Sequence, residues 1–150
     1  MSIKAQVITD FLIAFKEKRF FEKDTLNLIK SKITEKEKAT GSGILEDVAI
    51  LDILQSMVKQ RRDTISSYAN IDTDKANAAK EAEQKQIDII SRYLPQQMND
   101  ESMIERVKAI LVDFTGEDNK KLGAVMSYFK ATYNGQYDSK KLSEIVRTLI

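Results

Sequence analysis

The residues of this chain that could do chemistry are mostly cations. "VKQRRD", residues 58 to 63, puts Lys59 and Arg62 three apart and so on one helix face, with Arg61 pointing elsewhere. Arg suits bidentate contact with a phosphate. The same pattern also suits internal ion pairing, for example of Arg62 with Glu81 or Glu83. Further along, Lys120, Lys121, Lys140 and Lys141 fall in the first turns of expected helices, with Lys130 and Arg147 nearby. A helix start offers free N–H groups, and with basic side chains it is a setting a phosphate favours. Solvated lysines are the plainer reading of the same residues.

Other chemistry is excluded by residue type. The chain has no His and no Cys. The commonest general base and zinc ligand are therefore absent, and neither disulfides nor thiolate metal sites can form. The pairs Asp72/Asp74 and Glu117/Asp118 read as turn and cap residues. "GSG" lacks the Lys-Ser/Thr that completes a phosphate loop. Tyr68, Tyr93, Tyr128, Tyr133 and Tyr137 are scattered, without the stacking stripe of a single-strand binder. No catalytic residue, cofactor or metal is expected.

The elements that must carry these cations read as helices throughout. Ile3, Val7, Ile8, Phe11, Leu12 and Phe15 follow one helical face, giving a helix over 2–18. Asp24 is placed to cap a second helix to about Ala39, with Leu26, Ile29 and Ile33 inward. "TGSG" is a loop. A long helix over 44–68 carries Leu45, Val48, Leu51, Leu54 and Val58, widened by Ile50, Ile53 and Met57, and should pack on two sides. After the turn "ANIDTD", a fourth helix has Ile87, Ile90 and Leu94 on its face.

The only proline, Pro95, sits in "SRYLPQQMND" and breaks the pattern. Beyond it, Asn99 or Asp100 starts a helix with Ile104, Val107, Ile110, Leu111 and Phe114. Asn119 is placed to cap the next, with Leu122, Val125, Met126, Phe129 and Tyr133. Gly135 suits a left-handed position after it. Asp138 caps the last, with Leu142, Ile145, Val146, Leu149 and Ile150 inward. The expected fold is all-α: an N-terminal four-helix domain, 1–95, and a small three-helix C-terminal domain, 96–150.

Charge limits the partners. The 24 basic and 23 acidic side chains leave a net charge of +1. Residues 96–150 carry eight of each sign. Only the local placement of charge can favour nucleic acid. No apolar run is long enough to span a membrane, and the N-terminus lacks a secretory signal pattern. A cytoplasmic protein is expected.

Taken together, "VKQRRDTISSY", Glu81, Glu83, "IISRYLPQQM" and "GAVMSYFKATYNGQYDSKKLSEIVRTLI" resemble the YqeY-like proteins in order and spacing. The resemblance implies two helical domains, the second similar to the tail of the tRNA-dependent amidotransferase B subunit, which is held to contact tRNA. Gly123, Val125, Met126, Lys130, Gly135 and Asp138 match the shared motif. Tyr137 stands where the family usually has a small residue, and Asn27 and Asp72–Asp74 lie where Arg is expected. The amidotransferase's catalytic domain has no counterpart here, so a label of glutamine-dependent carbon–nitrogen ligase would come from the tail alone. The expectation is a non-catalytic module that binds tRNA, or a tRNA-modifying or aminoacylating protein, through Lys120, Lys121, Lys130, Lys140, Lys141, Arg147, Lys59 and Arg62. The alternative is a protein–protein adaptor without a nucleic-acid role.

Overall fold

The computed structural model describes residues 2–41 and 43–150. Ser42, in the expected "TGSG" loop, lies outside them. Among the described residues there are seven α-helices, one 3-10 turn and no strand. The helices fall into two compact units, Met1–Leu94 and Pro95–Ile150.

The first unit holds α1 (Ile3–Lys16), α2 (Phe20–Thr40), α3 (Asp47–Ser67) and α4 (Asp74–Ser91). Ser2 starts α1 by accepting a hydrogen bond from the Ala5 N–H, and Thr73 does the same for α4 from Ala76. A three-residue turn with Lys18 in the left-handed region, at φ 61°, joins α1 to α2. Gly41, at φ 66°, ends α2 in the left-handed cap that glycine adopts without strain. Asp24 is therefore not a cap: α2 begins one turn earlier, behind Arg19, and Asp24 lies inside it. α1 packs mainly on α2, and α3 on α4. Val7, Leu26, Ile29, Ile50, Leu54 and Ile90 are fully buried in the shared core.

Two apolar stripes are narrower than their sequence patterns. On α1 the buried residues are Val7 and Ala14, while Leu12 and Phe15 are each 59% exposed. Apolar side chains cover more than half of this helix's circumference, and a single neighbouring layer covers only one strip of it. The third helix begins at Asp47 rather than at 44, so exposed Ile44 lies in the loop before it; on α3 the core takes Ile50, Leu54, Met57 and Val58, and leaves Val48 in solvent.

Polar contacts tie the first unit together at both ends. Lys4 Nζ donates to both oxygens of Glu37, 3.0 Å each, and the Leu45 N–H donates to Glu37 Oε2 at 3.0 Å. At the other end the Tyr93 hydroxyl donates to Asp10, and Arg92 and Arg19 both donate to Glu22.

The second unit holds α5 (Asp100–Asp113), a 3-10 turn (Asp118–Lys120), α6 (Lys121–Thr132) and α7 (Ser139–Leu149). Asn99 caps α5 through the Ser102 N–H. Its core is Met103, Val107, Val125, Phe129, Tyr137, Leu142, Ile145 and Val146. Tyr137 meets the Phe129 ring edge-on at 5.4 Å, so a bulky residue is accommodated there as part of the core. Asn119 is not the cap of α6: it sits within the 3-10 turn, and Lys120, the last residue of that turn, occupies the cap position without a side-chain hydrogen bond. Ile150 is 52% exposed, beyond the last turn of α7.

Pro95 now has a structural reading. It opens an extended stretch that runs to Asn99 and lies against the turn after α6. The Met98 N–H donates to the Gln136 carbonyl at 2.7 Å, and Gln97 Nε2 donates to the Gly135 carbonyl at 2.6 Å. Gly135 has φ 84°, the left-handed conformation that presents this turn. "PQQM" and "YNGQYD" are therefore two halves of one hydrogen-bonded contact within the second unit.

Candidate nucleic-acid interface

The expected site residues divide between the units. Lys59 and Arg62 belong to α3 and are exposed. Their neighbour Arg61 turns toward α4. Its Nε donates to Gln86 Oε1 at 2.6 Å and its Nη1 to the Met57 carbonyl at 2.9 Å. Burial holds the Arg61 guanidinium below the usual arginine range, partly offset by the nearby Glu83 carboxylate. Glu81 pairs with Lys85 on its own helix, 3.4 Å away. Arg61 is thus a structural cation that links α3 to α4.

The remaining six lie in the second unit, where side chains already engage three of them. Lys120 sits 3.9 Å from Glu117, Lys121 3.1 Å from Asp118, and Lys141 3.2 Å from Asp100 at the start of α5. The start of α7 is also occupied. Asp138 Oδ1 accepts from the Lys140 N–H at 3.0 Å and from the Lys141 N–H at 3.5 Å. The expectation of N–H groups free for a phosphate does not hold at α7, because the cap carboxylate is already there. At this helix start, anion binding would rest on side chains.

Lys130, Lys140 and Arg147 are exposed and make no ion pair among the described residues. Lys140 and Arg147 are seven apart on α7, within about 20° of one another around the axis, opposite Leu142 and Val146. Gly123 and Lys130 have the same spacing on α6. A Cβ added at Gly123 would meet nothing within 4 Å. No packing in the fold requires a glycine there, and within a helix glycine is about 0.5–1 kcal/mol worse than alanine. Of the motif residues, Val125 and Met126 pack in the core cluster, Gly135 shapes the turn and Asp138 caps α7. Gly123 and Lys130 are the two for which the fold supplies no task beyond the favourable position of a lysine in a helix's last turn.

Sequence reasoning missed two cationic features. Arg106 on α5 lies 4.7 Å over the Tyr133 ring, and its Nη1 donates to the Tyr133 hydroxyl at 3.0 Å. In the first unit, exposed Phe15 and Phe20 flank Lys23, and Lys30 lies 3.9 Å over Phe11. Neither is visible as a local pattern, because each joins two helices. The available signal was the concentration of four of the six phenylalanines, Phe11, Phe15, Phe20 and Phe21, within eleven residues.

Among the described residues no cluster of acids is arranged to hold a metal ion, and no helix is long and apolar enough to cross a membrane. A family model described as "Yqey-like protein" matches residues 4–150. No curated protein matches the chain.

Proposed function

Because the chain belongs to the YqeY-like family, we propose that it is a non-catalytic module that binds tRNA, or a tRNA-handling protein, through its C-terminal unit. The observation that carries this reading is the exposed Gly123 and Lys130 on one side of α6, with no structural demand for the glycine. A bare backbone beside an unpaired lysine permits close approach of a phosphodiester chain. Lys140 and Arg147, facing away from the core on α7, extend the positive charge. Lys120, Lys121 and Lys141 are secondary, since each is already near a carboxylate. Such contacts position an RNA backbone and do not read its sequence. In this reading the four-helix and three-helix parts are separate domains, the protein works in the cytoplasm, and any link to amide transfer is through the tRNA.

The test is tRNA binding at two salt concentrations by the wild type, a Lys130/Lys140/Arg147→Ala variant and a Lys120/Lys121/Lys140/Lys141→Ala variant. Salt-sensitive binding is expected, with a log–log slope of about −0.7 to −0.9 per phosphate neutralised. The first variant should bind less tightly and show a shallower slope than the wild type, and lose more than the second. Absent or salt-insensitive binding overturns the proposal.

One observation favours the adaptor reading. Ile44 and Val48 are 79% and 60% exposed, near a shallow groove between α2 and α3 floored by Ala39, Ala49, Ile53 and Met57. An apolar surface of this kind suits a protein partner.

A further inference from the structure

The N-terminal unit carries a second patterned surface, separate from the one above. The rings of Phe15 and Phe20 are 59% and 58% exposed, at the end where α1 turns into α2. The Lys23 ammonium sits 5.6 Å from the first ring's centroid and 5.4 Å from the second's. Phe11 stacks obliquely on Phe15 with centroids 6.4 Å apart, and carries Lys30 at 3.9 Å. Lysine and aromatic side chains therefore alternate along one edge of the α1–α2 hairpin.

α2 continues the edge. Phe20, Lys23, Lys30 and Lys38 lie on one face of this helix, over a length of about 27 Å. Asn27, Ser31 and Thr34 fall between the lysines and line, with Lys30 and Lys38, a shallow groove. Amides and hydroxyls donate to phosphate and sugar oxygens, as lysines do to phosphates. Lys30 and Lys38 have no ion pair among the described residues, while Lys23 lies 3.5 Å from Asp24. The one carboxylate of the groove, Glu35, is 3.8 Å from Lys32. The charge left over along the groove is positive.

We infer that this face of the α1–α2 hairpin binds single-stranded nucleic acid, with bases stacking on Phe15 and Phe20 and the backbone running along Lys23, Lys30 and Lys38. Exposed flat rings offer a π-face to any unstacked base, and lysines at intervals track the phosphates. A duplex keeps its bases stacked and offers the rings nothing. Of the three rings that meet these ammonium groups, Phe11 is half-buried against the core, while Phe15 and Phe20 are exposed. The inference shares the ligand class of the tRNA proposal but uses different residues, so the two fail separately.

The experiment is fluorescence anisotropy of the full chain with a labelled single-stranded RNA of about twelve nucleotides, and with the same sequence as a duplex. Tighter binding of the single strand is expected. Phe15→Ala/Phe20→Ala should weaken it about fivefold or more per ring removed, and leave the duplex unchanged. Phe15→Tyr/Phe20→Tyr keeps the π-faces and should retain it. Lys23→Ala/Lys30→Ala/Lys38→Ala should reduce the salt slope by about two. Both aromatic changes are at exposed positions, and an unchanged thermal midpoint confirms that the fold is intact. The inference is overturned if the single strand does not bind, or binds no better than the duplex. It is overturned equally if the Phe15/Phe20 alanine variant binds like the wild type, or if those rings capture phosphatidylserine vesicles and no RNA. Oligonucleotide binding that survives in the Lys130/Lys140/Arg147 variant while tRNA binding is absent in every form would sink only the tRNA proposal.

Discussion

Gly123→Ala separates what the fold needs from what binding needs. The residue is the third of α6, and nothing lies within 4 Å of an added methyl group. Its φ is not in the left-handed region, where glycine would be demanded. Alanine therefore enters without strain and reduces the freedom of the unfolded chain, a gain of about 0.4–1 kcal/mol. For a cooperative unit the size of the second one, that corresponds to an increase in melting temperature of roughly 2–8 °C. Gly116 is the control: a Cβ there would come within 2.8 Å of the Phe114 ring and must displace it. Differential scanning calorimetry should show Gly123→Ala more stable than wild type and Gly116→Ala no more stable. If α6 is the RNA-facing helix, Gly123→Ala should also weaken tRNA binding while it stabilises the protein. A destabilised Gly123→Ala refutes the reading that the site is sterically empty. A stabilised variant with unaltered tRNA affinity refutes the idea that the bare backbone serves the ligand.

Gln97→Ala removes the donor to the part-buried Gly135 carbonyl, and should cost about 1–2 kcal/mol, with faster hydrogen exchange at the Met98 N–H. Glu37→Gln tests a pH dependence. The Lys4 ammonium and the Leu45 N–H hold the Glu37 carboxyl below its ordinary value, so its contribution is present above about pH 4.3 and lost as pH falls through the folded value. The variant should be less stable than wild type near neutrality, and the two thermal midpoints should converge in acid. Burial, then the hydrogen bond to Asp10, raises the Tyr93 phenol. The folded state keeps this proton where the unfolded state releases it, so stability falls as pH rises above about 10. Tyr93→Phe should flatten that alkaline decline and remove a phenol that titrates above its ordinary range from the ultraviolet absorbance titration.

The helical character of the chain was legible because it rests on local physics. Thr73, Asn99 and Asp138 are caps whose chemistry acts within three residues of themselves. Leu26, Ile29, Ile33, Val125, Phe129 and Leu142 repeat at the helical period and are buried as that period implies. Pro95 marked a break because a missing N–H and a fixed φ are properties of the residue itself. Local chemistry was misread where two signals competed. Asp24 looks like a cap, but α2 had already begun at Phe20.

What only the tertiary structure decided is which side chains meet across helices, and with what charge left over. The sequence placed Lys141 beside a helix start, and the fold placed Asp100 beside Lys141. It set Arg61 as an arm toward α4, and brought Lys23 between two rings from different helices. Periodicity assigns a residue to a face of its own helix. It carries no term for how much of that face a neighbour covers, which is why Val7 and Phe15 read alike in the sequence and differ so widely in exposure. Burial and ion pairing depend on distances between segments far apart in the chain, and those distances exist only once the helices have packed.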